Sequence, residues 1–282
     1  MMRYAFVLTV AEGKRLIARG LLNDPTVRAA VERGQIMLKS GTTVSAVSEA
    51  LGGPPLHISG RLTPAGFRTA AKQNTGPLWL VWRQGQGELL SDTEAVFAAA
   101  KSMTPADLLV TGANIIDNEG RAALMLGSLL GAVRCAVINL LAAEGVPVII
   151  AAGLEKLCPS VPAAVAVAGR QVIEASQGMA VGLLPLTGRL FTELEAVASL
   201  AAVKVTVIGR GGVAGAEGGT ALVAEGDREE IERLVAVLQE IKGAKTSGTE
   251  ASLISCENGG GHCRDHLGCA RSKKRIEGFH GI

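Results

Sequence analysis

The chain has 282 residues, 28 of them basic and 26 acidic, for a formal net charge of +2 at pH 7. That length allows one large domain or two smaller ones, with a core that needs no staples, and the balanced charge excludes the concentrated basic face of a nucleic-acid binder. Hydrophobic residues make up 48% but aromatics only 3%, so the core is built from Ala, Val, Leu and Ile, which suit strands buried on both faces.

Asp24-Pro25 reads as a helix start, Asp as N-cap and Pro at the first helical position, with the helix reaching Arg33. Gln35 to Lys39 reads as a strand, Ser40 to Thr43 as a turn and Val44 to Leu51 as a helix. Leu56 to Leu62 and Leu78 to Arg83 are strand candidates, and Ser91 with Glu94 makes a capping box for a helix ending near Lys101. Asp107 to Thr111 is a strand, Gly112 to Gly120 a polar turn, Leu126 to Ala143 a long apolar helix and Val146 to Ala151 another strand. Such alternation predicts βαβ units and a parallel sheet.

The pattern changes near Gly178. Met179 to Leu186 reads as a strand, and Thr192 with Glu195 caps a helix to about Ala201. Val203 to Ile208 and Thr220 to Glu225 are strands around a Gly-rich connection, and Asp227 to Ile241 is an amphipathic helix. With a last strand at Ser252 to Ser255, this order predicts a small ferredoxin-like α+β domain. The expected division is therefore an α/β domain over 1–177, the small domain over 178–245 and a Cys/His-containing tail over 246–282.

Arg134, Glu144, Glu155 and Arg170 interrupt the apolar middle, so no run reaches the ~18 residues of a spanning helix. Met1 to Val10 shows no cleavage-site pattern. The expectation is a cytoplasmic protein with no membrane and no nucleic-acid partner. An odd count of five cysteines, without an export signal, argues against a disulfide framework. Cys135 and Cys158 are expected in the core.

Three segments fall just after predicted strands, where open parallel sheets bind ligands. Gly41, Thr42 and Thr43 open a helix, and backbone N–H groups with two hydroxyls there suit a phosphate. An ordinary helix cap uses the same residues. Thr111 to Gly120 (TGANIIDNEG) brings Gly112, Asn114 and Asp117 to the same crevice, although Asp117 to Gly120 equally fits a solvated turn. Glu155 and Lys156 follow the strand Val146 to Ala151 and line it too.

Together these segments carry a resemblance. IMLKSGTTVSAVSEAL resembles the phosphate-binding strand–loop–helix of ribose-phosphate isomerases and of sugar-phosphate-sensing regulators. DLLVTGANIIDNEGRAALMLGS and GVPVIIAAGLEKL resemble the two segments that follow in the superfamily of ribose-phosphate isomerases, glucosamine-phosphate deaminases and CoA-transferases, over residues 14–160. The resemblance implies a three-layer α/β fold and a phosphorylated or anionic small-metabolite ligand. It also implies an isomerase-like or acyl/CoA-transferase-like reaction, with Asp117 or Glu155 as acid–base group. Asn114 stands where the superfamily has an acid, and no lysine follows as in the isomerases; Arg121 is the nearest cation. A non-catalytic sensing or assembly protein is therefore the alternative.

Ser255-Cys256-Glu257-Asn258-Gly259 looks like the nucleophile run of CoA-transferases but begins a tail, a context that makes it a coincidence. In that tail Cys256, His262, Cys263, His266 and Cys269 place three thiols and two imidazoles within fourteen positions. Four such ligands would suit zinc, and thiolates an iron–sulfur cluster; incidental cysteines in an unstructured tail fit the same spacing. The uncharged helix 126–143 and the small domain offer apolar surface, so a homo-oligomer is expected.

Overall fold

The computed structural model describes residues 1–70, 77–256 and 267. The chain opens with strand β1 (Met2–Leu8) and helices α1 (Val10–Asn23) and α2 (Pro25–Arg33). β2 (Gln35–Lys39) leads into α3 (Thr42–Ala50). Then come β3 (Gly60–Thr63), β4 (Gly66–Thr69), β5 (Trp79–Arg83), β6 (Gln86–Leu90) and α4 (Thr93–Lys101). β7 (Leu108–Thr111) precedes β8 (Ile115–Ile116), β9 (Ala122–Leu126) and α5 (Leu129–Ala143). β10 (Val148–Ala151) runs through a single 3₁₀ turn (Leu154–Lys156) to α6 (Val161–Val167). The last third holds β11 (Gly182–Leu186), β12 (Arg189–Phe191), α7 (Glu193–Leu200), β13 (Lys204–Gly211), β14 (Gly219–Gly226), α8 (Arg228–Glu240) and α9 (Glu250–Leu253).

The architecture is α/β. A six-stranded mixed sheet runs β12-β10-β7-β2-β5-β6. Its first four strands are mutually parallel, and β5 and β6 are antiparallel additions at one edge. Residues of β2, β7 and β10 are apolar and buried on both faces (Ile36, Met37, Leu38; Leu108, Leu109, Val110; Ile149, Ile150), as strands covered by helices must be. Their side chains divide between two cores. Ile36, Leu38, Leu108 and Val110 pack with α1, α3, α7 and α8, whereas Met37, Leu109 and Ile150 pack with α4 and α5.

Caps explain where several helices begin. Asp24 Oδ1 accepts from the N–H of Thr26 at 2.9 Å, with Pro25 as first helical residue, as expected. Thr192 and Glu195 close the expected capping box. At α4 the cap is Asp92 rather than Ser91, its Oδ1 accepting from Ala95 N–H at 2.9 Å, because the helix starts one residue later than the spacing predicts. The expected helix 126–143 is strand β9 followed by a helix that Ser128 caps.

The expected ferredoxin-like sandwich over 178–245 is not what these strands build. β11 pairs with β9, β12 enters the main sheet beside β10, and β13 and β14 complete a three-stranded sheet with β1 from the other end of the chain. Strand β1 takes the place because Tyr4, Phe6 and Leu8 alternate on the face packed against the first core. Ser252 to Ser255, expected as a strand, instead begins within α9, whose Ser252 hydroxyl is buried and accepts from Ile58 N–H at 3.0 Å. Of Leu56 to Leu62, expected as a strand, only the end from Gly60 is strand, in β3 (Gly60–Thr63), which forms a hairpin with β4. Cys135 is buried and Cys158 half-buried. No helix among the described residues is long and apolar enough to cross a membrane.

α1 and α7 cross where Gly20 meets Ala196. A Cβ on Gly20 would stand 2.5 Å from Ala196 Cα and 2.7 Å from its Cβ. The better helix propensity of alanine is outweighed by that backbone clash, so Gly20→Ala is expected to cost about 1–3 kcal/mol, measured as a lowered urea midpoint with unchanged slope. An unchanged midpoint would mean that the helices do not meet at Gly20.

Candidate functional site

The four parallel strands end on one side of the sheet, where their connections meet. β2 ends at Lys39 and passes through Gly41 to α3; β7 passes to Gly112; β10 to Gly153 and Glu155; β12 to Glu193. Gly112 joins these ends: a Cβ there would lie 3.7 Å from the Ala151 carbonyl and 3.9 Å from Val44 of α3.

At their meeting point stands a group of opposite charges. Lys14, on α1, puts Nζ 3.3 Å from Glu155 Oε1, with both side chains mostly buried. Beyond that ion pair, neither Glu155 oxygen has a hydrogen bond of good geometry among the described residues, which a buried carboxylate rarely tolerates without a role. Glu193 is 3% exposed, and its Oε2 accepts from Leu154 N–H at 2.9 Å. Two glycines clear space for these carboxylates. A Cβ on Gly153 would lie 2.0 Å from Glu155 Oε2 and 3.0 Å from Glu193 Oε1, and one on Gly13 would lie 2.5 Å from Glu193 Oε1. A side chain at Gly13 would displace Glu193, and one at Gly153 would displace Glu155.

These surroundings set the protonation states. Burial, then the negative charge of Glu155, pushes Glu193 up to about 7, against the pull of the Leu154 N–H and Lys14. Lys156 is half-buried along its length. Desolvation of its ammonium lowers it to about 8, opposed by Glu155 and Glu193 and reinforced by Lys14 and Lys39. The site thus combines a carboxyl group that changes charge near neutral pH, a second carboxylate beside it and three lysines.

α3 supplies the other half. Gly41 caps it with no side-chain hydrogen bond, and open space lies where a Gly41 Cβ would be. Thr43 is 1% exposed and its Oγ1 has no partner; Thr42 is half-buried. The first-turn N–H groups of the helix therefore lack the usual side-chain acceptor.

The structure brings Gly41, Thr42, Thr43, Gly112, Glu155 and Lys156 to this edge and assigns Asn114 and Asp117 to other work. Asn114 Oδ1 accepts from Met125 N–H at 2.8 Å and its own N–H donates to Ala123, holding β9 in place. Asp117 accepts from Glu119 and Arg121 N–H, from Arg121 Nε at 2.8 Å and from Val161 N–H at 3.0 Å. Burial alone would raise its carboxyl; those donors outweigh burial and hold it at about 2. A carboxylate so saturated ties the β8–β9 turn to α6 and is poorly suited to moving protons. Lys14, Lys39 and Glu193 were not legible as site residues. β12 is only three residues long, and Glu193 follows it inside a capping box that already accounted for Thr192 and Glu195.

Cys256 is half-buried, its N–H donating to the Thr69 carbonyl at 3.0 Å. Glu257, His262, Cys263, His266 and Cys269 lie outside the described residues. Among the described residues no group of three or more His, Cys, Asp or Glu is placed to hold a metal ion.

No family model and no curated protein matches the chain. Among solved structures it is similar to ribose 5-phosphate isomerase A from Neisseria gonorrhoeae, at 10% identity, with 92% of each chain covered and a TM-score of 0.28.

The raised Glu193 gives a signed expectation. A carboxyl whose folded-state value lies above its unfolded value of about 4.3 favours folding in acid, and that contribution is lost as pH rises through about 7. Glu193→Gln keeps an oxygen for Leu154 N–H and removes this dependence. Its melting temperature relative to the parent chain is therefore expected to rise between pH 5 and pH 8. A constant difference across that range would show that Glu193 ionises at its ordinary value.

Proposed function

We propose that the chain binds, and transforms by proton transfer, a phosphorylated or otherwise anionic small metabolite. The observation that carries this reading is the buried Glu155–Glu193 pair, flanked by Lys14 and Lys156 beyond the carboxyl ends of the parallel strands. Glu155 meets Lys14 at 3.3 Å, yet among the described residues neither of its oxygens has a hydrogen bond of good geometry, which favours a functional over a purely structural pair.

The roles follow from the chemistry. Glu193, half-protonated near neutral pH, is the proton-transfer group, since general acid–base catalysis is most effective when the group titrates near the working pH. Glu155 keeps Glu193 raised; Glu193 takes the proton from one carbon and returns it to the neighbouring carbon, while Glu155 takes the hydroxyl proton and returns it to the former carbonyl oxygen. Lys14 and Lys156 neutralise charge that develops on a substrate oxygen. The first turn of α3, with Gly41, Thr42 and Thr43, holds the phosphate or carboxylate end. Moving a proton between neighbouring carbons of a hydroxy-carbonyl compound, as in sugar-phosphate isomerisation, requires these parts. Self-association remains part of the proposal: Leu129, Val133 and Leu140 expose an apolar stripe on α5.

Melting the chain against sugar phosphates, nucleotides, CoA esters and small carboxylates tests the reading. A ligand at about 100 times its dissociation constant adds about 2.7 kcal/mol. Sugar phosphates are expected to give the shift. With the ligand so found, Thr43→Val is expected to weaken binding, whereas Glu193→Gln is expected to keep binding and abolish exchange of substrate hydrogen with deuterated solvent. No shift from any phosphate or carboxylate, or full exchange in Glu193→Gln, would overturn it.

A further inference from the structure

The segment after α3 carries a second group of buried polar atoms that, among the described residues, have no hydrogen-bond partner. His57 is 5% exposed, and its Nε2 has no hydrogen-bond partner. Arg61, on β3, folds its guanidinium back along the same segment, with Nη2 donating to the carbonyls of Ile58 at 3.0 Å and Ser59 at 3.1 Å. The Nε and Nη1 of Arg61 are buried and without partners.

Among the described residues the charged side chains beside these atoms are arginines, with the Cys256 thiol near enough to act on Arg61. Arg68 stands directly across the hairpin from Arg61, an arrangement in which like charges repel. Its Nε donates to the Ala65 carbonyl at 3.1 Å. Among the described residues neither arginine has an ion pair with a carboxylate. Burial, and then the charge of Arg61, lowers His57 to about 4, so the imidazole is neutral at pH 7 and offers one N–H and one lone pair.

Buried donors without acceptors carry the full penalty of their lost hydration. Two such donors, Nε and Nη1 of Arg61, lie beside His57, whose neutral imidazole supplies a third when Nε2 carries the proton, and they share one requirement: an acceptor bearing negative charge. A cation is disfavoured by the two guanidinium groups, and a neutral ligand would leave their repulsion uncompensated. We infer that His57 and Arg61 form a binding site for an oxyanion, the carboxylate or phosphate group of a small molecule, held by the Arg61 guanidinium and by His57 in its Nε2–H tautomer, with the positive charge of Arg68 across the hairpin adding to the attraction. The backbone of the site is already fixed. Ile58 N–H donates to Ser252 Oγ at 3.0 Å and Thr249 N–H to the Leu56 carbonyl at 2.9 Å, so α9 clamps the segment that carries His57.

The test uses the full chain with labelled histidine, followed by NMR at fixed near-neutral pH. The His57 signal is identified by its loss in His57→Gln. Titration with inorganic phosphate in one arm and acetate in the other is expected to move that signal saturably in at least one arm, and the arm that responds names the anion class. Arg61→Gln is expected to weaken that response at least about tenfold, the size of one charge-assisted hydrogen bond. Glu193→Gln is expected to leave it unchanged, which separates this site from the one at the sheet edge. A His57 signal that moves in neither arm in the parent chain, or that responds equally in Arg61→Gln, would overturn the inference.

Discussion

The burial of Glu193 constrains everything around it. A carboxyl group 3% exposed must be neutral, paired or hydrogen-bonded, because an isolated buried charge costs far more than a domain can spare. Here one oxygen takes the Leu154 N–H and the other fits against Gly13 and Gly153. The remaining adjustment is protonation. The neighbouring carboxylate of Glu155 opposes a second negative charge, and Lys14 offsets part of it. Glu155 and Lys14 therefore set the state of Glu193, and the same charges with Lys39 act on Lys156.

The fold makes that unit possible by ending four parallel strands on one edge. β10 and β12 lie side by side, so Glu155 and Glu193, each a few residues past a strand end, are neighbours although 38 positions apart. α1 reaches the same edge because Gly20 lets it close on α7. The small sheet adds a further wall: Gly218, before β14, brings its backbone against Val10 and Glu155, a Cβ there being 3.1 Å from Val10 Cγ2 and 3.8 Å from Glu155 Cβ. The Gly-rich connection that leads to it is exposed and includes Gly211, Gly212, Gly215 and Gly218 at positive φ. These conformations suit glycine, and at Gly218 they let the backbone approach Glu155 closely.

The parallel strands were legible because β2, β7 and β10 are short unbroken apolar runs followed by glycine-bearing turns. The turn at Gly41 and the place of Glu155 just past a strand end followed from them. What failed was long-range pairing. Nothing local marks that β1 pairs with β14 or that a three-residue strand at Arg189–Phe191 belongs to the main sheet. The expected ferredoxin-like unit followed local order where pairing across the chain decides. Asp117 misled for a related reason: an acid beside a sheet edge suggests chemistry, and only the structure shows its lone pairs filled by Arg121, Glu119 and Val161. Glu193 was hidden by its place in a helix cap that needed no further explanation.

The central claim is that Glu193 holds a proton near neutral pH. The direct measurement is the pH titration of its side-chain carboxyl carbon by NMR, with the signal assigned through Glu193→Gln. The account predicts a midpoint at about 7. A midpoint at the ordinary glutamate value of about 4.3 would contradict it and leave the lysines and glutamates of this edge as a structural ion-pair cluster.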